Sequence, residues 1–350
     1  MITIGVSGIN AADNPGPGVG IIRALKESPL DVRTIGLAYD SMEPGIYLDQ
    51  FVDKSYIMPY PSGGIDSFTK RLQYIHSIEK MDVIISALDA ELPIYMDIES
   101  QLRQDNIKML IPTKQMFDLR NKSKLKPIAE AIGIKSPEFC SCSSIDDLIK
   151  LSDNIGFPCM IKGPFYEAFK ANSLAEAESY FIKLANKWGY PIIIQKFIQG
   201  QEYDVIGCGD GMGNDMGLFA IKKLTTTALG KVWNAVSIVN NRLIQTCKNL
   251  LSHLSWRGGF ELEVLIEDQS EDIYLIEINP RFPAWVYMSA ACGINLPERL
   301  VRFLMDMDYE THSNYASGKI MIRYTNEIIK DMSDFEKISS YGELENNPKV

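Results

Sequence analysis

Two apolar-alternating runs, Glu261-Leu-Glu-Val-Leu-Ile-Glu267 and Ile273-Tyr-Leu-Ile-Glu277-Ile-Asn279-Pro-Arg281, flank the polar stretch Asp268-Gln-Ser-Glu-Asp272. This is the pattern of an antiparallel hairpin. With the turn centred near Ser270, Glu263 faces Glu277, and period-two alternation puts Glu263, Glu277, Asn279 and Arg281 on one side of the sheet. Carboxylates and an amide oxygen crowded on one surface repel each other unless a cation lies between them. Hard oxygen donors of this kind suit Mg²⁺, with Mn²⁺ as an alternative, and Mg²⁺ completes its shell with water and phosphate oxygens. The competing reading is a solvated polar face. It is the better account of Glu267, Asp268, Glu271 and Asp272.

At 350 residues the chain exceeds one typical core, and domains of roughly 100–150 residues imply two or three units. A net charge of −10 argues against a nucleic-acid binder, which would carry a basic patch, and against a membrane-surface protein. It does not exclude an anionic ligand held by local amides and a metal. The six cysteines lack zinc-ligand spacing, Cys140-x-Cys142 being too close. With Met1-Ile-Thr-Ile-Gly entering a strand directly and no run near ~18 apolar residues, reduced thiols in a cytoplasmic protein are expected.

Residues 2–9 read as a buried strand, followed by the loop Asn10–Gly18 and a helix from about Val19 to Lys26. Further strands are expected at Val32–Leu37, Asp82–Ser86 and Met109–Ile111, with a helix from about Leu92 to Asp105. Alternating strands and helices predict a parallel sheet with ligands near its strand C-termini. Gly16-Pro-Gly18-Val-Gly20 lacks the dinucleotide-binding spacing, so nicotinamide chemistry is the weaker reading. A turn that starts a helix close to the sheet is the better one. Beyond Asn121 the pattern predicts a helix over Lys122–Ala131 and another over Ser143–Asp153. A strand ending at Lys162, a helix over Leu174–Lys187 and a strand over Pro191–Ile198 follow, and then a hairpin from Gly200.

This second half collects what a nucleoside triphosphate needs. Lys122 opens a helix and Lys162 ends a strand, Gln195-Lys196-Phe197-Ile198 forms a strand-to-loop hinge, and Glu202 follows it. A strand-terminal lysine alone is more often a snorkelling surface residue. The order and spacing resemble the ATP-grasp superfamily from Met1 to about Arg302. The closest resemblance is to its biotin-carboxylase, carbamoyl-phosphate-synthetase and amino-acid-ligase branches. The resemblance is carried by Asn121-Lys122 with Ile128–Pro137, by Phe157-Pro-Cys-Met-Ile-Lys162, by Gly200-Gln-Glu202-Tyr-Asp204-Val and, most specifically, by Glu277-Ile-Asn279-Pro-Arg281.

The resemblance implies an α/β chain, α+β in its second half. A parallel-sheet pre-ATP-grasp domain (1–112) precedes a two-lobed ATP-grasp fold, with a small lobe over 113–190 and a large lobe with a C-terminal segment over 191–350. It implies an ATP-dependent carboxylate–amine ligase that forms an acyl phosphate, acting on small-molecule carboxylate and amine substrates. Lys122 and Lys162 would hold phosphates, while Gln195, Lys196, Phe197 and Ile198 would line the adenine hinge. Glu202 would bind ribose, Glu263, Glu277 and Asn279 would hold Mg²⁺, and Arg281 would hold the substrate carboxylate or the transferred phosphoryl group. Arg281 and Lys162 are the implied catalytic pair.

Two departures stand out: the loop 163–173 is short with one glycine, and Gln195 replaces a commonly acidic hinge residue. Asp89 and Glu91 are candidates for a substrate ammonium, or else helix N-terminal acids compensating the macrodipole. Trp233, Trp285 and Tyr287 read as core, with an aromatic wall as the alternative. His76, His253 and His312 lie outside every motif and read as structural. The alternatives are carboxyphosphate chemistry of the carbamoyl-phosphate type and a non-catalytic ATP-binding subunit. A homodimer is left open.

Overall fold

A computed structural model describes residues 1–11, 15–164, 167–227, 230–311 and 314–346. His312 and parts of the loops 10–18 and 163–173 lie outside the described residues. Strands β1 (Ile2–Ser7), β2 (Val32–Ala38), β3 (Lys54–Ile57) and β4 (Val83–Ile85) form a parallel sheet in the order β3-β2-β1-β4. Their near-continuous apolar runs follow from burial on both faces. Ile4, Val6 and Ile85 pack with Ile21, Ile22 and Leu25 of the helix Gly18–Lys26. Ile35, Leu37 and Ile84 pack on the opposite side with Phe68, Leu72 and Tyr95 from the helices Ile65–Glu79 and Leu92–Gln104.

The turn after β1 does what its glycines predict. Gly18 N–H donates to the Gly8 carbonyl at 2.8 Å, and a Cβ at Gly18 would sit 2.2 Å from the Ser7 carbonyl oxygen. Only glycine lets the helix begin this close to the strand end.

The small lobe is an antiparallel sheet of β5 (Phe139–Cys142), β6 (Cys159–Lys162), β7 (Ala168–Ala171) and β8 (Ile192–Lys196), in the order β5-β8-β6-β7. The helices Ile145–Ile155 and Leu174–Trp188 cover one face, each N-capped by a serine, Ser144 or Ser173. Cys159, Ile161, Ile192 and Ile194 point at these helices. Alternation therefore sends Met160, Lys162, Ile193 and Gln195 to the other face, and the register pairs Met160 with Gln195 and Lys162 with Ile193.

The large lobe contains β9 (Gly200–Asp210), β10 (Asp215–Thr226), β11 (Val232–Ile238), β12 (Arg257–Glu267), β13 (Ile273–Asn279) and β14 (Ile320–Met321), in the order β13-β12-β9-β10-β11-β14. Leu262, Val264, Val205, Leu218 and Ala220 face the helices Asn241–Leu254 and Leu125–Ala131. Ile206, Phe219 and Ile221 on the reverse face join the core of the N-terminal helix Gly18–Lys26, so this sheet and the parallel sheet share one core.

The hairpin register is as expected at its site end, for a reason the pattern alone does not contain. Ile266 pairs with Ile273 and Val264 with Leu275, half a residue off a turn centred at Ser270. A bulge between Glu263 and Val264 then shifts the register by one and sets Glu263 opposite Glu277. The extra residue lets Leu275 and Ile278 both reach the helix-facing core while Glu277 and Asn279 point away.

One expectation needs correction. Met109–Ile111 forms no strand: pairing beside β4 stops at the Val83–Lys108 bridge. Met109 and Ile111 are apolar because they pack in the core beneath β4. The helix Leu125–Ala131 packs on the large-lobe sheet although it falls in the segment 113–190. The last elements, the helix Met332–Tyr341 and β15 (Glu343–Glu345), return to the first domain, where β15 pairs antiparallel with β3. No helix among the described residues is long and apolar enough to cross a membrane.

Candidate active site

The bulged hairpin and its neighbours raise a polar patch on the large-lobe face opposite the helices. Glu263 lies across from Asp204 of β9 and from Glu277 of β13, and Glu261 lies across from Asn279. Lys223 of β10 reaches into this row. Its Nζ is 2.7 Å from Glu263 Oε2, 3.2 Å from Asp204 Oδ1 and 3.4 Å from Glu202 Oε2. Burial alone would lower the Lys223 pKa, but the surrounding carboxylates overcome it and hold the ammonium well above its ordinary range.

Asn279 Nδ2 donates to Glu261 Oε2 and to Glu263 Oε1, both at 3.0 Å. The amide therefore presents its oxygen, an acceptor, elsewhere. Glu261 also accepts from Trp285 Nε1 at 2.8 Å and from Arg281 at 3.3 Å. Burial, then repulsion from Glu263, pushes the Glu261 carboxyl up to about 7. Arg281 spans from Glu261 to Asp89, whose Oδ2 is 3.6 Å from its Nε. No hydrogen bond reaches the Glu277 carboxylate among the described residues, and burial followed by the Glu263 charge raises its pKa.

Lys162 enters from the small lobe, on the face that alternation assigned to it. It is 9% exposed, and burial followed by the neighbouring Lys122 charge pushes it down to about 8, against the pull of Glu277, Glu202 and Glu263. Buried Lys162 thus meets both the Lys122 charge and the carboxylates Glu277, Glu202 and Glu263. That arrangement suits an anion and a divalent cation placed between them. Among the described residues no group of three His, Cys, Asp or Glu side chains is set to hold a metal. Two carboxylates and an amide fit Mg²⁺ when phosphate oxygens supply the remaining ligands.

The hinge runs from β8 through Phe197 and Ile198 into β9. Lys196 N–H donates to the Glu138 carbonyl at 2.8 Å, while Gln195 and Ile198 are buried and the Lys196 side chain is exposed. In the stretch 163–173, Gly163 N–H donates to the Glu167 carbonyl at 3.0 Å and β7 pairs antiparallel with β6. Lys170 on β7 lies over the Phe197 ring, 4.0 Å from its centroid. This strand thus reaches the hinge through a side chain. The Glu202 side chain is about half exposed at the cleft edge.

The other candidates divide. Asp89 joins the site through Arg281, and its Oδ1 is buried without a hydrogen-bond partner. Glu91 does not join in the same way: it is fully buried, accepting from Ser7 Oγ at 2.5 Å and Ser86 Oγ at 2.8 Å. Trp285 reaches the site by its indole N–H, Tyr287 donates to Glu27 at 2.6 Å, and Trp233 is half-buried. His76 and His253 sit on the helices Ile65–Glu79 and Asn241–Leu254, outside the cluster.

Sequence reasoning missed Glu261, Asp204 and Lys223 as site residues. Glu261 stands two positions before Glu263 and was readable by the same alternation. Lys223 required the β9–β10 register, which no local pattern supplies.

Near Glu91, Glu43 is pushed up to about 7, chiefly by burial and then by the Glu91 and Asp40 charges, against backbone hydrogen bonds from Tyr39 and Asp40. The folded chain therefore holds this proton more tightly than the unfolded chain. Stability falls as pH rises from about 4.5 to about 7. Glu43→Gln is expected to flatten that fall and to add about 2 kcal/mol at pH 8, allowing for partial exposure. Urea titrations at pH 5 and pH 8 check this, and an unchanged profile would contradict it.

Residues 190–328 match a family model described as ATP-grasp in the biosynthetic pathway with Ter operon. Over that stretch the chain is similar to an ATP-grasp domain. The carbamoyl phosphate synthase large chain of Saccharolobus solfataricus is 23% identical over 244 residues, covering 63% of this chain and 23% of that protein. The chain thus spans under a quarter of that relative. Among solved structures, biotin carboxylase from Campylobacter jejuni superposes with a TM-score of 0.69 at 17% identity, covering 91% of this chain and 74% of that one. The biotin carboxylase domain dimer of Hydrogenobacter thermophilus 2-oxoglutarate carboxylase, in complex with MgADP and bicarbonate, gives 0.67 at 13% identity over 91% and 73% of the two chains. The parallel first sheet and the two antiparallel ATP-grasp sheets agree with these folds.

Proposed function

We propose that the chain is an ATP- and Mg²⁺-dependent carboxylate–amine ligase acting on a small carboxylate, an amino acid or peptide. One observation supports this: Lys162, buried on the small-lobe sheet face turned away from its helices, lies within reach of the charges of Lys122, Glu277, Glu202 and Glu263. Lys122 and Lys162 take the triphosphate, Gln195 to Ile198 border adenine, and Glu202 takes the ribose hydroxyls. Glu263, Glu277 and Asn279 would hold Mg²⁺, which neutralises phosphate charge when bound. Arg281 positions the substrate carboxylate. One carboxylate oxygen attacks the γ-phosphorus and ADP leaves. The amine then attacks the acyl carbon and phosphate leaves. Such transfer relies on positioning and charge neutralisation, so no side-chain nucleophile is needed.

Bicarbonate is the second reading for the activated carboxylate, favoured by the relatives named carbamoyl phosphate synthase and biotin carboxylase. A panel of amino acids and bicarbonate with ATP, read as ADP and phosphate release, separates the two. Release that depends on an amino acid supports the first reading, and release with bicarbonate alone supports the second. Release with neither in the presence of any amine overturns the ligase assignment.

A further inference from the structure

A cavity of about 1410 Å³ opens between the turn after β1, residues 284–292 and the C-terminal stretch 319–335. It exceeds the roughly 300–1,000 Å³ of ordinary small-molecule sites. Leu48, Met288 and Phe335 contribute to an apolar wall. Met42, Ile320, Ile322, Tyr324, Ile328 and Met332 line it too, and all six are exposed large apolar side chains. Apolar surface concentrated in one concavity marks a binding site rather than scattered surface residues.

One side chain links the candidate active site to the wall of this cavity. Trp285 lines it and donates its indole N–H to Glu261, which also holds Arg281. Arg323 lines it and donates to the Ala284 carbonyl at 2.8 Å. Its Nε is buried without a partner, and no carboxylate lies within ion-pair distance among the described residues. Of the other cations on the wall, Arg23 is paired with Glu27 and Lys330 with Asp49, while Lys319 is exposed to solvent. Lys231 feels the charges of both Arg281 and Arg323, so the two guanidiniums share one electrostatic neighbourhood. A half-buried guanidinium lacking an acid calls for an anion from outside the chain.

We propose that one substrate is a carboxylate with an extended apolar body. The body fills this cavity, and the carboxylate lies between Arg323 and Arg281, past Ala284 and Trp285, so that Arg323 helps to draw it in and Arg281 positions it. This deepens the ligase reading and rests on it. The concave shape, the unpaired guanidinium and the link to Glu261 select a small molecule over a second copy of the chain.

Calorimetry on the full chain, with acetate, butanoate, hexanoate and octanoate titrated in the presence of MgADP, tests it. Affinity is expected to rise about fourfold per added methylene. Arg323→Gln should weaken octanoate about tenfold through loss of a charge-assisted hydrogen bond. Met42→Glu, at a position 69% exposed where the fold tolerates a charge, should weaken it too. Affinity that is flat along the series, or indifferent to both substitutions, overturns the proposal. So does a dimer that Met42→Glu dissolves together with no octanoate binding, which would make this face an interface between copies. MgADP binding is read in the same experiment: its absence sinks the ligase reading, while the chain-length series still decides the cavity.

Discussion

Replacing Glu277 with glutamine is expected to lower ATP turnover on the order of 10²–10³-fold without lowering stability. The side chain keeps its shape and loses only its charge. Glu277 lies across from Glu263 and has no hydrogen bond among the described residues, so nothing structural depends on the carboxylate. Burial and the Glu263 charge already oppose its ionisation, so a neutral amide relieves the folded state. What is lost is one of two carboxylates available to a divalent cation. Nucleotide affinity should fall when Mg²⁺ is present and hold or rise when it is absent. ADP release, urea unfolding and nucleotide titrations with and without Mg²⁺ check the three parts. A fully active Glu277→Gln protein would show that the hairpin is not the metal end of the site.

Lys223→Met carries the second large effect, this time on stability. Lys223 is 6% exposed at its side chain, beside a fully buried Asp204 and a largely buried Glu263. Removing the ammonium strands the Glu263 carboxylate in a low-dielectric row, a loss that typically costs about 3–5 kcal/mol. Asp204 adds less, because burial already pushes its pKa well up and favours the neutral acid, and the Glu202 contact adds little because that side chain is about half exposed. Pairing Lys223→Met with Glu263→Gln should recover much of the loss, since the amide removes the stranded charge. Urea titration of the single and double variants measures this. A Lys223→Met protein as stable as the parent would mean that the carboxylate row is not held by this lysine.

These two residues also mark where the sequence is legible and where it is not. Glu277, Asn279, Arg281 and Glu263 declare themselves because a strand repeats every two residues, and one apolar-polar alternation specifies a face. The parallel first sheet is equally plain, since strands buried on both faces are apolar throughout. Lys162 is found as a strand-terminal cation, and only its pairing with Ile193 shows that it faces the cleft. Lys223 stays hidden because its partners come from β9 and β12, which are joined by long-range register. Met109–Ile111 misleads in the opposite direction, since an apolar run signals burial and not hydrogen bonding. The bulge beside Glu263 is invisible in the pattern, yet without it the hairpin would turn Glu277 away from Glu263. Arg323 has no local signal at all: its meaning arises where the C-terminal stretch crosses Ala284.

We propose a Mg²⁺-dependent nucleotide site in the cleft between the lobes, built on Lys162 and the Glu263–Glu277 pair. Calorimetric titration of ADP into the chain, with and without Mg²⁺ and repeated on Lys162→Ala, tests it most directly. Binding of one nucleotide per chain is expected, strengthened by Mg²⁺ and weakened about tenfold or more by Lys162→Ala. No binding with Mg²⁺ present, or binding indifferent to both the metal and Lys162, would contradict it.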